Sequence, residues 1–572
     1  MRLHHPLIGY PGLRNLLSLT ILLGMAGNSL AAVTAPSIPP QTAAQAAAPK
    51  LVVVLVVDGL PQEQILRYRD QFGAGGFRRL LAESAWFSNA HQAHGVTVTA
   101  VGHAAVLSGA YPYQHGVIAN DWIDKTTLAS VYCTEDARYT YLGNETAAHA
   151  GTAPTNLHAS TVGDELRYAS GNRAKVITVS GKDRGAILLA GKSGTAYMYM
   201  GKSGEFASST YYMQQHPTWV QQYLAGKPQD AYYGKTWQML LPPAAYANDA
   251  ADEIVDAPSR AAPLAYDSRS GHPDAEYYGK LGTGPYLDEL TLKFARAAIE
   301  GENLGRNPAG VPDVLGVSLS SHDYVNHAYG PESRLSHDHL QRLDRMLADF
   351  FNYLDSRVGL ANTLVVLTAD HGFPNVPEYA QALQRDTGRI DSKAMQTALE
   401  KHLSGRFGVD GLVRKWSAPV FLLDQNLIEQ KHLPAAEVET AATHFLESYP
   451  GLAYAYSRHQ LENGQLPANR IAKLMQRAWN SQISGDIMVV AKPNWIFGSG
   501  RHGTTHGSPY SYDTNVPLML MGANWIKPGY YGDYAEVVDI APTLSHLLQL
   551  RPPSASEGRV LSEVLSTSLR RP

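Results

Sequence analysis

Seven consecutive aliphatic residues, Leu51–Val57, run directly into Asp58-Gly59, and no other feature restricts the fold of this chain so much. The run is the length of a strand, is rich in β-branched residues and lacks polar alternation. A strand covered on both faces, as in a parallel sheet, has this pattern. Comparable runs recur at Lys175–Ser180, Val314–Leu319, Thr363–Thr368 and Val516–Met521, each followed by a polar or glycine-containing cluster. Between them, stretches such as Leu290–Ile299 and Leu335–Leu354 repeat apolar residues every three or four positions, as amphipathic helices do. The alternation predicts an α/β fold with a central, mostly parallel sheet and helices on both faces. Ligands of such sheets bind beyond the carboxyl ends of the strands, so the polar residues after each run are the ones to examine.

At 572 residues the chain exceeds the size at which a single core usually stops growing. One large domain over residues 50–550 is expected, with segments inserted at about 190–282 and 373–500 that cap the sheet edge and shape a substrate pocket. Residues 551–572 read as a C-terminal tail. Residues 1–31 read as a signal peptide: Arg2 and Arg14, an apolar stretch from Leu16 to Gly27, then Ser29-Leu30-Ala31 as a small-x-small cleavage site. Residues 32–49, rich in Ala, Pro, Gln and Thr, read as a flexible lead. No later segment has 18 uninterrupted apolar residues, so the expectation is a secreted, periplasmic protein without membrane attachment after cleavage, and a monomer. A net charge of −4 gives no reason to expect nucleic acid as an obligate partner. Cys133 is the only cysteine, which excludes an intramolecular disulfide and a cysteine-rich metal site and leaves a buried, inert thiol.

Oxygen and imidazole ligands gather in four segments: Asp58, Asp323 with His327, Asp370-His371, and His506. Asp323 and His327 are four apart and share one face if a helix begins there. Asp370 and His371 are adjacent, so their side chains diverge and reach a metal from different directions. Zinc accepts mixed imidazole and carboxylate shells, and two ions roughly 3.5–4 Å apart can hold the attacking and leaving oxygens of a phosphoryl transfer. An isolated Asp at a strand end is equally a helix cap or turn former. His91, His94, His103, His322 and His502 are read as surface or supporting residues.

In Gly95–Gly109 the chain changes at Thr99 from extended β-branched residues to small helix-compatible ones. A helix start favours an anion, and zinc could activate the hydroxyl as a nucleophile; a threonine N-cap is the plainer alternative. Asn120 and the pair Lys182 and Arg184 offer an amide and two cations, which point the same way if the segment is extended. Together they suit the dianion of a phosphate monoester, although a solvated charge pair has the same sequence.

These residues, in this order, resemble the alkaline phosphatase superfamily and its PafA-type monoesterase branch. The motifs are Asp58-Gly59, Gly75–Leu81, Thr99-x-x-Gly-His103, Asn120-Asp-Trp122, Lys182-Asp-Arg-Gly185, Asp323-Tyr-Val-Asn-His327, Thr368–Gly372, Gly503–His506 and Asp539–Thr543. Thr99 is followed by Ala100-Val101 where the branch has Gly-Pro. The resemblance implies an alkaline phosphatase-like fold with two Zn2+ per chain. Asp58, Thr99, Asp370 and His371 would surround one ion, and Asp323, His327 and His506 the other. Thr99 would form a phosphothreonine, with Asn120, Lys182 and Arg184 holding the non-bridging oxygens of small-molecule phosphate monoesters.

A phosphodiesterase or nucleotide pyrophosphatase of the same superfamily would keep the metal ligands but lack the two cations. A sulfatase would need a modifiable residue in a Cys/Ser-x-Pro-x-Arg context, which Cys133-Thr-Glu-Asp-Ala does not supply. An inactive phosphate-ester-binding protein would keep the fold without turnover.

Overall fold

The computed structural model describes residues 47–255, 264–498, 500 and 502–566. The signal-peptide reading and most of the lead therefore lie outside the described residues. Among those described, no helix is long and apolar enough to cross a membrane.

Thirteen strands position the site: β1 (Leu51–Val57), β2 (Ala85–Phe87), β3 (Val176–Ser180), β4 (Thr195–Met200), β5 (Glu205–Ala207), β6 (Asp313–Leu319), β7 (Thr363–Thr368), β8 (Val413–Ser417), β9 (Val420–Leu423), β10 (Leu452–Ser457), β11 (Ile487–Ala491), β12 (Leu518–Met521) and β13 (Gly529–Tyr531). Nine of them form the main sheet in the order β13-β2-β12-β7-β1-β6-β3-β4-β5. Strands β7, β1, β6, β3 and β4 run parallel. Every residue of β1 is fully buried, as its unbroken aliphatic run requires of a strand with cover on both faces.

Register decides where the polar residues emerge. Val56 lies beside Thr368 and Val57 beside Leu319, so Asp58, Asp370 and the chain following β6 leave the sheet at one carboxyl edge. Helices α1 (Thr99–Ser108), α2 (Asp183–Ala190), α3 (Pro285–Glu302), α4 (Ser321–Tyr329) and α5 (Arg334–Arg357) flank this edge or the sheet behind it. The sequence-predicted helical stretches lie within α3 and α5.

Three expectations need correction. The run ending at Met521 is a sheet strand, but it pairs antiparallel with β7. The preceding loop, 503–514, crosses the carboxyl edge, so the chain enters β12 from that edge and must run backwards. The stretch 190–282 is not wholly inserted: β4 and β5 are strands of the main sheet, joined as an antiparallel pair. The tail is packed rather than free as far as Ser566, with Leu561, Val564 and Leu565 buried and Glu557 N–H donating to the Gly109 carbonyl. The segment 373–500 contains a separate antiparallel sheet, β8-β9-β11-β10, over its own apolar cluster of Leu399, Leu403, Phe421, Leu446 and Val489.

Candidate active site

All six carboxylate and imidazole residues expected at strand ends or loops meet at the carboxyl edge. They form two triads, Asp58–Asp370–His371 and Asp323–His327–His506, in each of which the ligand atoms lie within 4.8 Å of one another. The triads adjoin: His371 Nε2 is 3.4 Å from Asp58 Oδ1 and 3.7 Å from Asp323 Oδ1. The His371 and His506 rings stack with centroids 3.4 Å apart. Asp323 and His327 occupy the first and last turns of α4, one face apart by four residues as predicted.

Hydrogen bonding leaves the histidines prepared as ligands. Nδ1 lies 2.9 Å from the Gly372 carbonyl in His371, 2.9 Å from that of Thr504 in His327, and 2.7 Å from that of Thr97 in His506. Donation from each Nδ1 leaves Nε2, once free of its proton, as the ligand atom. Among the described residues, Asp58 Oδ1, Asp323 Oδ1, Asp370 Oδ2 and His371 Nε2 are buried and make no hydrogen bond. Unpaired buried acceptors and crowded carboxylates are unfavourable, and a divalent cation in each triad answers both. The donor set therefore fits two metal ions. His327, with a side chain 35% exposed, marks the side open to solvent.

Electrostatics follow from this crowding. Burial pulls the His371 imidazole down, but the nearby carboxylates of Asp370, Asp58 and Asp323 outweigh it and raise its pKa to about 9. Burial and the neighbouring His371 lower His506 to about 3. Burial opposes the charge of Lys182, yet Asp323 and Asp58 hold its pKa above the usual lysine value. Its Nζ lies 2.5 Å from Asp323 Oδ2 and 2.7 Å from Asp58 Oδ2.

Thr99 is the first residue of α1. Val98 takes the capping position and no side chain caps the helix, so the plainer alternative of a threonine N-cap does not hold. Lys182 Nζ reaches to 3.4 Å from Thr99 Oγ1. Asn120 Oδ1 accepts from the Ala100 N–H at 2.9 Å, which fixes the amide beside the same helix start. Gly102 permits the approach: a Cβ there would stand 2.0 Å from the Asp370 carbonyl oxygen. Lys182 and Arg184 do not share an extended segment: Lys182 is extended at the N-cap position of α2, and Arg184 lies in the first turn of that helix. Arg184 Nη1 donates to Tyr132 Oη at 3.2 Å, and Tyr132 donates to Asp183 Oδ1 at 2.6 Å.

Four of the histidines read as surface or supporting, His91, His94, His103 and His322, are buried, whereas His502 is exposed. His103 bears directly on the site. Its Nδ1 lies 2.8 Å from the Thr99 carbonyl and 3.1 Å from Asp370 Oδ2, and its Nε2 lies 2.8 Å from Ser318 Oγ. The interval of four between Thr99 and His103, once a helix is granted, was the signal for it. Tyr132, Asp183 and the Tyr324 ring, 4.9 Å from Lys182 Nζ, carried no such signal. Cys133 is buried and free, as expected.

A mostly parallel sheet with paired metal-ligand triads at its carboxyl edge, beside a helix-start threonine, defines a hydrolase of the alkaline phosphatase superfamily. The type I phosphodiesterase / nucleotide pyrophosphatase family model matches residues 52–512, and the chain belongs to that family, in its PafA-type branch. It is 33% identical over 523 residues to the alkaline phosphatase PafA of Elizabethkingia meningoseptica, covering 90% of this chain and 94% of that protein. It is 35% identical over 537 residues to the alkaline phosphatase PhoV of Synechococcus elongatus, covering 93% and 95%. The crystal structure of wild-type PafA superposes with a TM-score of 0.82 at 33% identity, over 91% of this chain and 99% of that one. A solved PafA variant is substituted at a threonine, an asparagine, a lysine and an arginine. The intervals between those four positions equal those between Thr99, Asn120, Lys182 and Arg184.

Proposed function

We propose that this chain is a secreted two-zinc alkaline phosphatase that hydrolyses phosphate monoesters through a phosphothreonine at Thr99. One observation carries the reading: the buried Lys182 ammonium touches Thr99 Oγ1 while bridging a carboxylate of each triad. Zinc bound in the triads supplies Lewis-acid charge to the attacking and leaving oxygens of the transfer.

The protein's own groups do the rest. Thr99 Oγ attacks phosphorus, the bond to the leaving oxygen breaks, and the alcohol departs. Water then attacks phosphorus, the Thr99 Oγ–P bond breaks, and inorganic phosphate leaves with the threonine hydroxyl restored. Lys182, kept protonated by Asp58 and Asp323, places a fixed positive charge beside Thr99 Oγ and favours its ionised form. Arg184, steadied by Tyr132, and the Nδ2 of Asn120 bind the non-bridging oxygens, where charge is greatest on a monoester dianion. A diester has one charge fewer and gains less from both cations. Support for secretion is the pattern of Arg2, Arg14, the apolar stretch Leu16 to Gly27 and Ala31.

The test compares p-nitrophenyl phosphate with its bis-ester on the zinc-loaded enzyme, alongside Thr99→Ala. The monoester should turn over faster, and the variant should form no phosphoenzyme. Faster diester hydrolysis overturns the monoesterase reading, and turnover of neither ester favours a binding protein.

A further inference from the structure

Asp513 is fully buried in the short turn Ser511–Thr514 and is not among the metal-ligand triads, yet it is bonded to a loop from each. Its main-chain oxygen accepts from Gly372 N–H at 2.7 Å. Its carboxylate Oδ2 accepts from Gly507 N–H at 3.1 Å and Ser508 N–H at 2.8 Å. Gly372 directly follows His371, and Gly507 directly follows His506.

Each bond continues to an imidazole. On one side Gly372, held through its N–H by the Asp513 main-chain oxygen, presents its carbonyl to His371 Nδ1 at 2.9 Å. The fit is close, because a Cβ on Gly372 would stand 2.1 Å from the Tyr512 carbonyl oxygen. On the other side Ser508, held through its N–H, accepts from Thr97 Oγ1 at 2.8 Å, and the Thr97 carbonyl lies 2.7 Å from His506 Nδ1. Thr97 is also two residues before Thr99. Asp513 thus joins both stacked imidazoles: its main-chain oxygen holds the loop of His371, and its carboxylate holds the loop of His506 and, through Thr97, the segment that leads into the nucleophile.

We propose that Asp513 is a positioning residue that sets the separation of the two metal sites by locking His371 and His506 into one frame. The inference rests on the two-metal reading above. Partners that orient metal-bound histidines typically govern about 10–100-fold in metal affinity or activity.

The experiment uses metal-stripped full-length protein: wild type, Asp513→Ala and Asp513→Asn. It measures zinc binding by calorimetry, melting without metal, and kcat and KM after reloading. Wild type should bind two ions. The alanine variant, which keeps the main-chain bond to Gly372, should still melt cooperatively without metal, bind the zinc ion at His506 about 10–100-fold more weakly and lose kcat while KM holds. The asparagine variant retains a carbonyl oxygen for both loop N–H groups and should recover most of the zinc affinity. An alanine variant with wild-type zinc binding and kcat overturns the proposal. So does an asparagine variant as impaired as alanine, or loss of cooperative melting in the metal-free alanine variant, which would make Asp513 a support of the fold. Wild-type protein binding fewer than two ions contradicts the two-metal reading instead.

Discussion

Replacing Lys182 with methionine removes one charge and keeps much of the side-chain volume. The ammonium is 1% exposed and lies within 2.7 Å of a carboxylate oxygen from Asp58 and another from Asp323. Deleting one partner of a buried ion pair costs about 3–5 kcal/mol, because the remaining charge is uncompensated. With an unfolding entropy of about 2.1 cal/mol/K per residue, a domain of this size loses about one degree of melting temperature per kcal/mol. Metal-free Lys182→Met should therefore melt about 3–5 °C below metal-free wild type. Zinc should narrow that gap, since bound cations neutralise the same carboxylates. Catalysis should fare worse: losing one preorganised charge at a transition state costs about 100–1,000-fold in rate, with a smaller loss on diesters. Scanning calorimetry with and without chelator, together with rates on p-nitrophenyl phosphate and its bis-ester, checks both parts. Equal melting of the two metal-free proteins, or equal rate losses on both esters, would refute the reasoning.

Two further outcomes follow from the same geometry. In metal-free protein the His371 pKa is raised to about 9, so this imidazole contributes stability that is fully present below its unfolded value of about 6.5 and is lost as pH rises through about 9. Zinc binding at pH 7 should then release about one proton from His371 and none from His506, already lowered to about 3; calorimetry in buffers of different ionisation enthalpy counts it, and no release contradicts the assignment. Gly102→Ala should push α1 away from the Asp370 carbonyl, which a Cβ would approach to 2.0 Å. A shift of about 1 Å in the nucleophile costs about 100-fold in kcat, and an alanine variant with wild-type kcat and circular dichroism would contradict the role given to this contact.

The sheet was readable where strands are covered on both faces, because continuous aliphatic runs such as Leu51–Val57 arise under few other conditions. An apolar run carries no direction, however, so Leu518–Met521 could not be told from its parallel neighbours. The strand Thr195–Met200, next to last in the sheet, escaped notice because its Thr, Tyr and Met sit among Gly and Ser, as an inserted loop would. The ligand residues were legible for a related reason: a strand end confines Asp58 and Asp370 to one edge, and helical spacing pairs Asp323 with His327. The contacts of Asp513 with Gly372, of His103 with Ser318 and of Tyr132 with Arg184 join residues far apart in the chain. No local pattern encodes such pairings, which exist only after the sheet has assembled.

Anomalous diffraction at the zinc edge from a metal-loaded crystal tests the central claim most directly. Two peaks are expected, one enclosed by Asp58, Asp370 and His371 beside Thr99 Oγ1, the other by Asp323, His327 and His506. A single peak, or peaks bound elsewhere with these side chains turned apart, would contradict it.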